Sequence, residues 1–281
     1  MMGVLNRILF WRKKKPVVPV VRLSGVIAAS GSGMRRGISL ETVEPQLKKA
    51  FSMRRAKAVA LIINSPGGSP VQSSLIGRRI RDLAKRADVP VLAFCEDVAA
   101  SGGYWLAASA DEIFADPSSI IGSIGVVSAG FGFDKAIKKI GVDRRVHTAG
   151  ESKMILDPFQ PEQAEEVERL KALQAEIHAQ FIAHIESRRG VKLNGDRAEL
   201  FSGAFWTGET AVKLGLVDAV GEIRQTINSR FGDDTELMMI EPKRKLLPFG
   251  LTNLSGQMAS GIVNEASDIA IERAYLSRFG L

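Results

Sequence analysis

Ser101 stands within Asp97-Val98-Ala99-Ala100-Ser101-Gly102-Gly103-Tyr104-Trp105, a small-residue turn that joins a strand-like run to a helix-like one. A serine at such a junction can act as a nucleophile, because the glycines behind it let the backbone turn sharply and leave room for a substrate carbonyl. The same residues also suit a plain strand-to-helix connection. The chemistry therefore depends on whether the chain supplies a base. His178 and His184 lie six residues apart in a long helical pattern and so share no face, which reads them as solvated or interfacial. His147, in a strand-like run ahead of a lysine loop, is the one histidine placed to partner a serine. Lysine is the other base open to serine, provided that burial lowers its pKa from about 10.4 toward neutrality at a cost of about 4 kcal/mol. That requires an apolar pocket. Lys153, followed by Met154, Ile155, Leu156, Pro158 and Phe159, is the lysine in a loop with such neighbours.

Other chemistries find less support. There is no His-x-x-x-His, no carboxylate-rich cluster and no pair of cysteines to suggest a metal site. No Gly-x-x-x-x-Gly-Lys-Ser/Thr loop and no Gly-x-Gly-x-x-Gly turn after a strand offers to cradle a phosphate. The single cysteine, Cys95, allows no internal disulfide and reads as a small buried filler beside an apolar strand. The net charge of +7 is spread along the chain apart from Arg12-Lys13-Lys14-Lys15 and Lys243-Arg244-Lys245, with no aromatic-studded basic stripe, so nucleic acid is not an expected partner. Residues 1–15 put Val4, Leu5, Ile8, Leu9, Phe10 and Trp11 ahead of the lysine cluster. That order is wrong for a secretory signal, and the apolar part falls short of the roughly 20 residues that span a bilayer. As a basic amphipathic segment it could make peripheral contact with an anionic leaflet, or it could be a frayed start with no role.

The elements that must position Ser101 and Lys153 follow from the apolar runs. At 281 residues the chain is long enough to fold without disulfides or metals. Val17–Leu23, Lys57–Ile63 and Val89–Phe94 read as buried parallel strands, with helices expected at Leu40–Arg55, from Leu75 to Leu83 and from Tyr104 to Ala110. Ile113–Ala115, Gly122–Val127 and Val142–Thr148 read as further strands, and Lys135–Ile140 as a helix. Pro161 is expected to open the longest helix, running to about Arg189 with Val167, Leu170, Leu173, Ile177, Phe181 and Ile185 along one face. Alternating strands and helices of this kind predict an α/β fold of repeated strand-turn-helix units with a mostly parallel sheet, whose functional loops gather at the carboxyl ends of the strands. We divide the chain into a basic amphipathic segment (1–15), a catalytic domain (16–241) and a peripheral C-terminal segment (242–281) with a helical pattern from Ile262 to Leu276.

Asn64-Ser65-Pro66-Gly67-Gly68, Ala100-Ser101-Gly102-Gly103-Tyr104, Gly122-Ser123-Ile124-Gly125-Val126, Ser152-Lys153 and Gly215-Leu216-Val217-Asp218, in that order, resemble the signal peptide peptidase A (protease IV) family of serine-lysine peptidases. The resemblance covers about Val17 to Ile223 and implies a Clp protease/crotonase-like fold. It implies that Ser101 is the nucleophile and Lys153, 52 positions later, the general base. It further implies that the backbone N–H groups of Gly68 and Gly102 line an oxyanion hole. The activity so implied is a serine endopeptidase that needs no cofactor and acts on extended apolar peptides such as signal-peptide remnants. Half-length members of the family assemble into ring-like oligomers in which Ser and Lys can come from neighbouring subunits, which implies a homo-oligomer here. Many members carry an N-terminal membrane helix and work outside the cytoplasmic membrane. No such helix and no export signal is read in this sequence, so the expected location is the cytoplasm or the inner face of the membrane. Two other readings stand beside this one: a crotonase-like acyl-CoA hydratase or isomerase, for which Glu96 is the nearby carboxylate, and a non-catalytic membrane-associated scaffold.

Overall fold

The computed structural model of the chain describes residues 15–29, 37–150, 153–242 and 276–279. The N-terminal basic segment up to residue 14, and the helical pattern expected from Ile262, lie outside the described residues save for the last position of that pattern, Leu276. Three apolar runs become the centre of the sheet: Val17–Ser24 (β1), Val59–Ser65 (β2) and Val91–Ala100 (β3). They are buried on both faces, which is why they read as continuous rather than alternating hydrophobic runs. Glu112–Ala115 (β4), Ile120–Gly122 (β5), Phe205–Thr207 (β6), Ala219–Val220 (β7) and Glu236–Met239 (β8) complete an eight-stranded sheet among the described residues. Its order is β6-β5-β3-β2-β1-β8, with β4 also on β3 and β7 on β4, and every pairing is parallel except β5 with β6.

Side chains of period two divide the core between the two faces of this sheet. One face carries Val21, Leu23, Leu61, Ile63, Ala93 and Cys95. It is covered by Leu40–Phe51 (α1), Pro70–Ala87 (α2), Gly102–Ala108 (α3) and the end of a long helix, Ala164–Arg189, which is α5 after the short exposed Asp134–Lys139 (α4). The other face carries Val18, Val20, Ala60, Ile62, Leu92, Phe94 and Phe114. Ile227 of the last helix, Ile223–Phe231, covers it; this helix is α8, after Arg197–Leu200 (α6) and Gly208–Lys213 (α7). Local chemistry fixes the helix starts. The Ser39 hydroxyl accepts from Thr42 N–H in a capping box ahead of α1, and Ser69 caps α2 with Pro70 at the first position.

Buried hydrogen bonds lock α3 and α5 onto the sheet. Tyr104, fully buried, donates its hydroxyl to Leu216 O at 2.7 Å, and burial raises its phenol far above the usual range. Arg189, 4% exposed, donates to Gly215 O and, at 2.7 Å, to Asp218. Burial alone would raise the Asp218 carboxyl, but hydrogen bonds from Arg189, Lys192 and the Ile113 N–H outweigh it and hold the group below the ordinary carboxylate range. His184 lies flat on Trp105 with ring centroids 4.5 Å apart, and its Nε2 is 3.1 Å from Trp105 O. Burial depresses it to about 4 against the opposing effect of that hydrogen bond. The two helical histidines are thus interfacial, His178 meeting Ile124 O at 3.0 Å. Cys95 is a buried filler whose thiol is pushed up to about 12 by burial.

Four sequence expectations need correcting. β3 does not stop at Phe94 but runs to Ala100, because Val98–Ala100 find a new partner in β5; half of the expected turn is strand. The strand expected at Gly122–Val127 lies earlier, at Ile120–Gly122, where β3 and β6 flank it. Residues 142–148 form no strand, since no neighbour pairs with them and all but Val146 are exposed. The apolar face of α5 is buried only toward its end, at Phe181 and Ile185, while Leu173 remains 49% exposed.

Candidate active site

The site is built where β3 meets α3 and the β2–α2 connection passes beside them. Ser101 takes φ +51° and ψ −122°, a conformation that a side chain makes costly, and it is held there from both sides. Its N–H donates to Gly122 O at 2.8 Å and its carbonyl accepts from Trp105 N–H at 3.0 Å. The Ser101 hydroxyl caps nothing and has no hydrogen-bond partner among the described residues. A polar group left free on a half-buried, strained residue is poised for something other than stability.

Gly67 and Gly68 supply the facing wall. A Cβ on Gly67 would stand 2.7 Å from the Ser101 Cβ and 2.8 Å from Gly102 N, so the turn can approach the serine only as glycine. Gly68 has φ +141° and forms a parallel bridge with Ile27, in which Ile27 N–H donates to Gly67 O and Ser69 N–H donates to Ile27 O. Successive peptide groups alternate in direction, so the Gly68 N–H faces away from Ile27 and has no acceptor among the described residues. Gly102 opens α3, and its N–H is one of those a helix start leaves unpaired. The two glycine turns that meet at Ser101 thus each leave a backbone N–H without an acceptor among the described residues, the kind of polar group that acyl transfer uses.

The remaining candidates are placed differently. Lys153 is exposed, its N–H donating to Gly150 O at 3.2 Å, and the apolar residues after it are open to water: Met154 is 38% exposed and Ile155 37%. Val127, Phe131, Ile140 and Val142 are each more than half exposed as well, and ring contacts link Phe131 through Phe133 to Phe159. His147 is also exposed, on the unpaired segment. Glu96 is held by a two-pronged ion pair with Arg22, at 2.5 and 2.8 Å. No group of three or more His, Cys, Asp or Glu is arranged to hold a metal ion, and no helix is long and apolar enough to cross a membrane, among the described residues. Asn64, which opens the first glycine motif in the sequence but has no role assigned there, reaches across to β3 with its side chain.

Comparison with known proteins identifies the family. Residues 83–232 match the model of Peptidase family S49. A Brucella abortus protein named Na(+)/H(+) antiporter NhaA is 51% identical over 99% of this chain and 39% of its own length. The chain thus spans about two fifths of that relative. A putative signal peptide peptidase SppA of Enterococcus faecium is 30% identical over 90% of this chain and 75% of its own length. Protease 4 of Haemophilus influenzae is 34% identical over 75% of this chain and 34% of its own. With the family's model spanning Ser101 and strands β3 to β7, the chain belongs to peptidase family S49, serine-type peptidases of the Clp protease/crotonase-like fold.

Proposed function

We propose that this chain is an endopeptidase that cleaves extended, apolar peptides such as signal-peptide remnants through a Ser101–Lys153 dyad. The observation that carries the reading is the strained Ser101, its hydroxyl free, between the unpaired N–H groups of Gly68 and Gly102. In the first half-reaction the Lys153 amine takes the Ser101 proton as Oγ attacks the peptide carbonyl carbon. The tetrahedral oxyanion rests on the two backbone donors, and loss of one such donor commonly costs about 2.7–4 kcal/mol. Collapse expels the amine, which leaves with the proton held by Lys153. Water, giving its proton to the same lysine, then attacks the ester, and the acid departs as Ser101 regains its hydrogen.

In the single chain Lys153 is exposed among exposed apolar residues, which supports delivery of the base from a neighbouring subunit in a homo-oligomer. The same exposed surface would be covered in that assembly. The match to a longer Brucella protein named as an antiporter supports a working position beside a membrane, on the inner face; the antiporter name belongs to that protein.

The test is cleavage of an unstructured peptide by the wild type, Ser101→Ala and Lys153→Ala. Both variants should be folded and inactive, and mixing them should restore part of the activity if the dyad is completed across subunits. Full activity in Lys153→Ala would refute the base assignment. A crotonase-like acyl-CoA activity, the alternative, would show as turnover of an acyl-CoA and would depend on Glu96.

A further inference from the structure

One residue, Asn64, separates Ile63 from Ser65 on β2, yet three separate their partners Cys95 and Ala99 on β3. β3 therefore carries two surplus residues at this level, and its ladder with β2 has a gap. The gap falls where β3 leaves β4, its neighbour along Leu92–Cys95, and takes up β5, its neighbour along Val98–Ala100. Ser101 is the next residue.

The Asn64 side chain fills that gap. Its Oδ1 accepts from the Val98 backbone N–H at 3.3 Å, and its Nδ2 donates to Asp97 Oδ2 at 2.6 Å. The partners fix the orientation of the amide, because a backbone N–H only donates and a carboxylate only accepts. Asn64 is itself anchored from the other side, where Gly25 N–H donates to its carbonyl at 2.9 Å. A residue in a costly backbone conformation relaxes unless its surroundings over-determine it. Upstream of Ser101, the Ser65–Ala99 pairing and the Asn64 amide are what tie Val98–Ala100 to β2.

We propose that Asn64 is a positioning residue, a clasp across the bulge that sets the end of β3 and with it the attack geometry of Ser101. The inference rests on the reading of Ser101 as nucleophile. Asn64→Ala leaves Val98 N–H and Asp97 without this partner, and Asn64→Asp sets one carboxylate against another. The exchange Asn64→Asp with Asp97→Asn restores both bonds, with donor and acceptor reversed in one of them.

The experiment measures kcat and KM on an unstructured peptide below the unfolding temperature of each variant. Both single variants should lose about 10- to 100-fold in kcat, the scale of a nucleophile displaced by an ångström or less, with KM changed by no more than about twofold. The exchange should recover kcat to within about threefold of wild type. A role in stability alone would lower the melting temperature and leave kcat of the folded enzyme untouched. The proposal is overturned by a folded Asn64→Ala with wild-type kcat, or by a folded exchange variant as slow as Asn64→Asp; the latter decides the case if Asn64→Ala does not fold. Cleavage that survives Ser101→Ala would instead sink the nucleophile reading. The clasp is then judged by hydrogen exchange at the Val98 amide, which should lose protection in Asn64→Ala and regain it in the exchange.

Discussion

Replacing Ser101 should make the protein more stable when the substitute is glycine and leave it nearly unchanged when the substitute is alanine. The alanine removes a hydroxyl that has no hydrogen-bond partner among the described residues, so the change should stay within about 0.5 kcal/mol. Alanine keeps the Cβ, however, and with it the cost of φ +51° and ψ −122°. That cost is about 1–3 kcal/mol for a residue other than glycine. Glycine removes it but gives back about 0.5–1 kcal/mol through the greater freedom of the unfolded chain. The net expectation is that Ser101→Gly exceeds Ser101→Ala by about 1 kcal/mol, or about 2–4 °C in melting temperature for a domain of this size. Calorimetry or urea unfolding of the two variants, which differ by one methyl group, measures this directly. An alanine variant as stable as the glycine variant would show that the strain at Ser101 is not real.

Four further outcomes follow from the core. Because the folded-state pKa of His184, about 4, lies below the unfolded value near 6.5, the unfolded chain takes up its proton first. Stability is then complete above pH 6.5 and declines as pH falls toward 4, by at most about 3 kcal/mol, and His184→Phe should flatten that part of the stability-pH curve; equal slopes would refute it. Tyr104→Phe leaves Leu216 O buried and short of its donor, which should cost about 1–3 kcal/mol by denaturant unfolding. Arg189→Ala takes the guanidinium donors from Gly215 O and leaves Asp218 with Lys192 and the Ile113 N–H, and should cost about 1.5–3 kcal/mol by denaturant unfolding. The same Asp218 carboxyl, held low by its partners, contributes stability above about pH 3.8 that is lost as pH falls further, and Asp218→Asn should lack this acid limb.

The three central strands were legible because burial on both faces writes itself as unbroken apolar sequence, and Val17–Leu23 and Lys57–Ile63 needed no tertiary information. The far end of β3 was not. Glu96 and Asp97 look like the start of a loop, and it takes β5, brought in by the chain beyond β4, together with the Ser65–Ala99 pairing to β2, to make Val98–Ala100 a strand. Val142–Thr148 departs in the opposite sense: its composition suits a strand, but a strand needs a neighbour, and none is found among the described residues. Ser101 could be singled out from its glycines, whereas its strained torsion depends on the bond to Gly122 O, and the free N–H of Gly68 on the Ile27 bridge, a contact across 41 residues of sequence. Lys153 was chosen for its apolar neighbours, and those neighbours turn out to face water.

A loop that spreads Phe131, Ile140 and Val142 into solvent makes the behaviour of this protein a matter of abundance. Molecules kept far apart must carry that greasy surface uncovered, while crowded ones can hide it against one another. If the amine that arms Ser101 is lent by a companion, specific activity will climb with protein level and fall away on dilution, so that a scarce pool of the enzyme is a quiescent one.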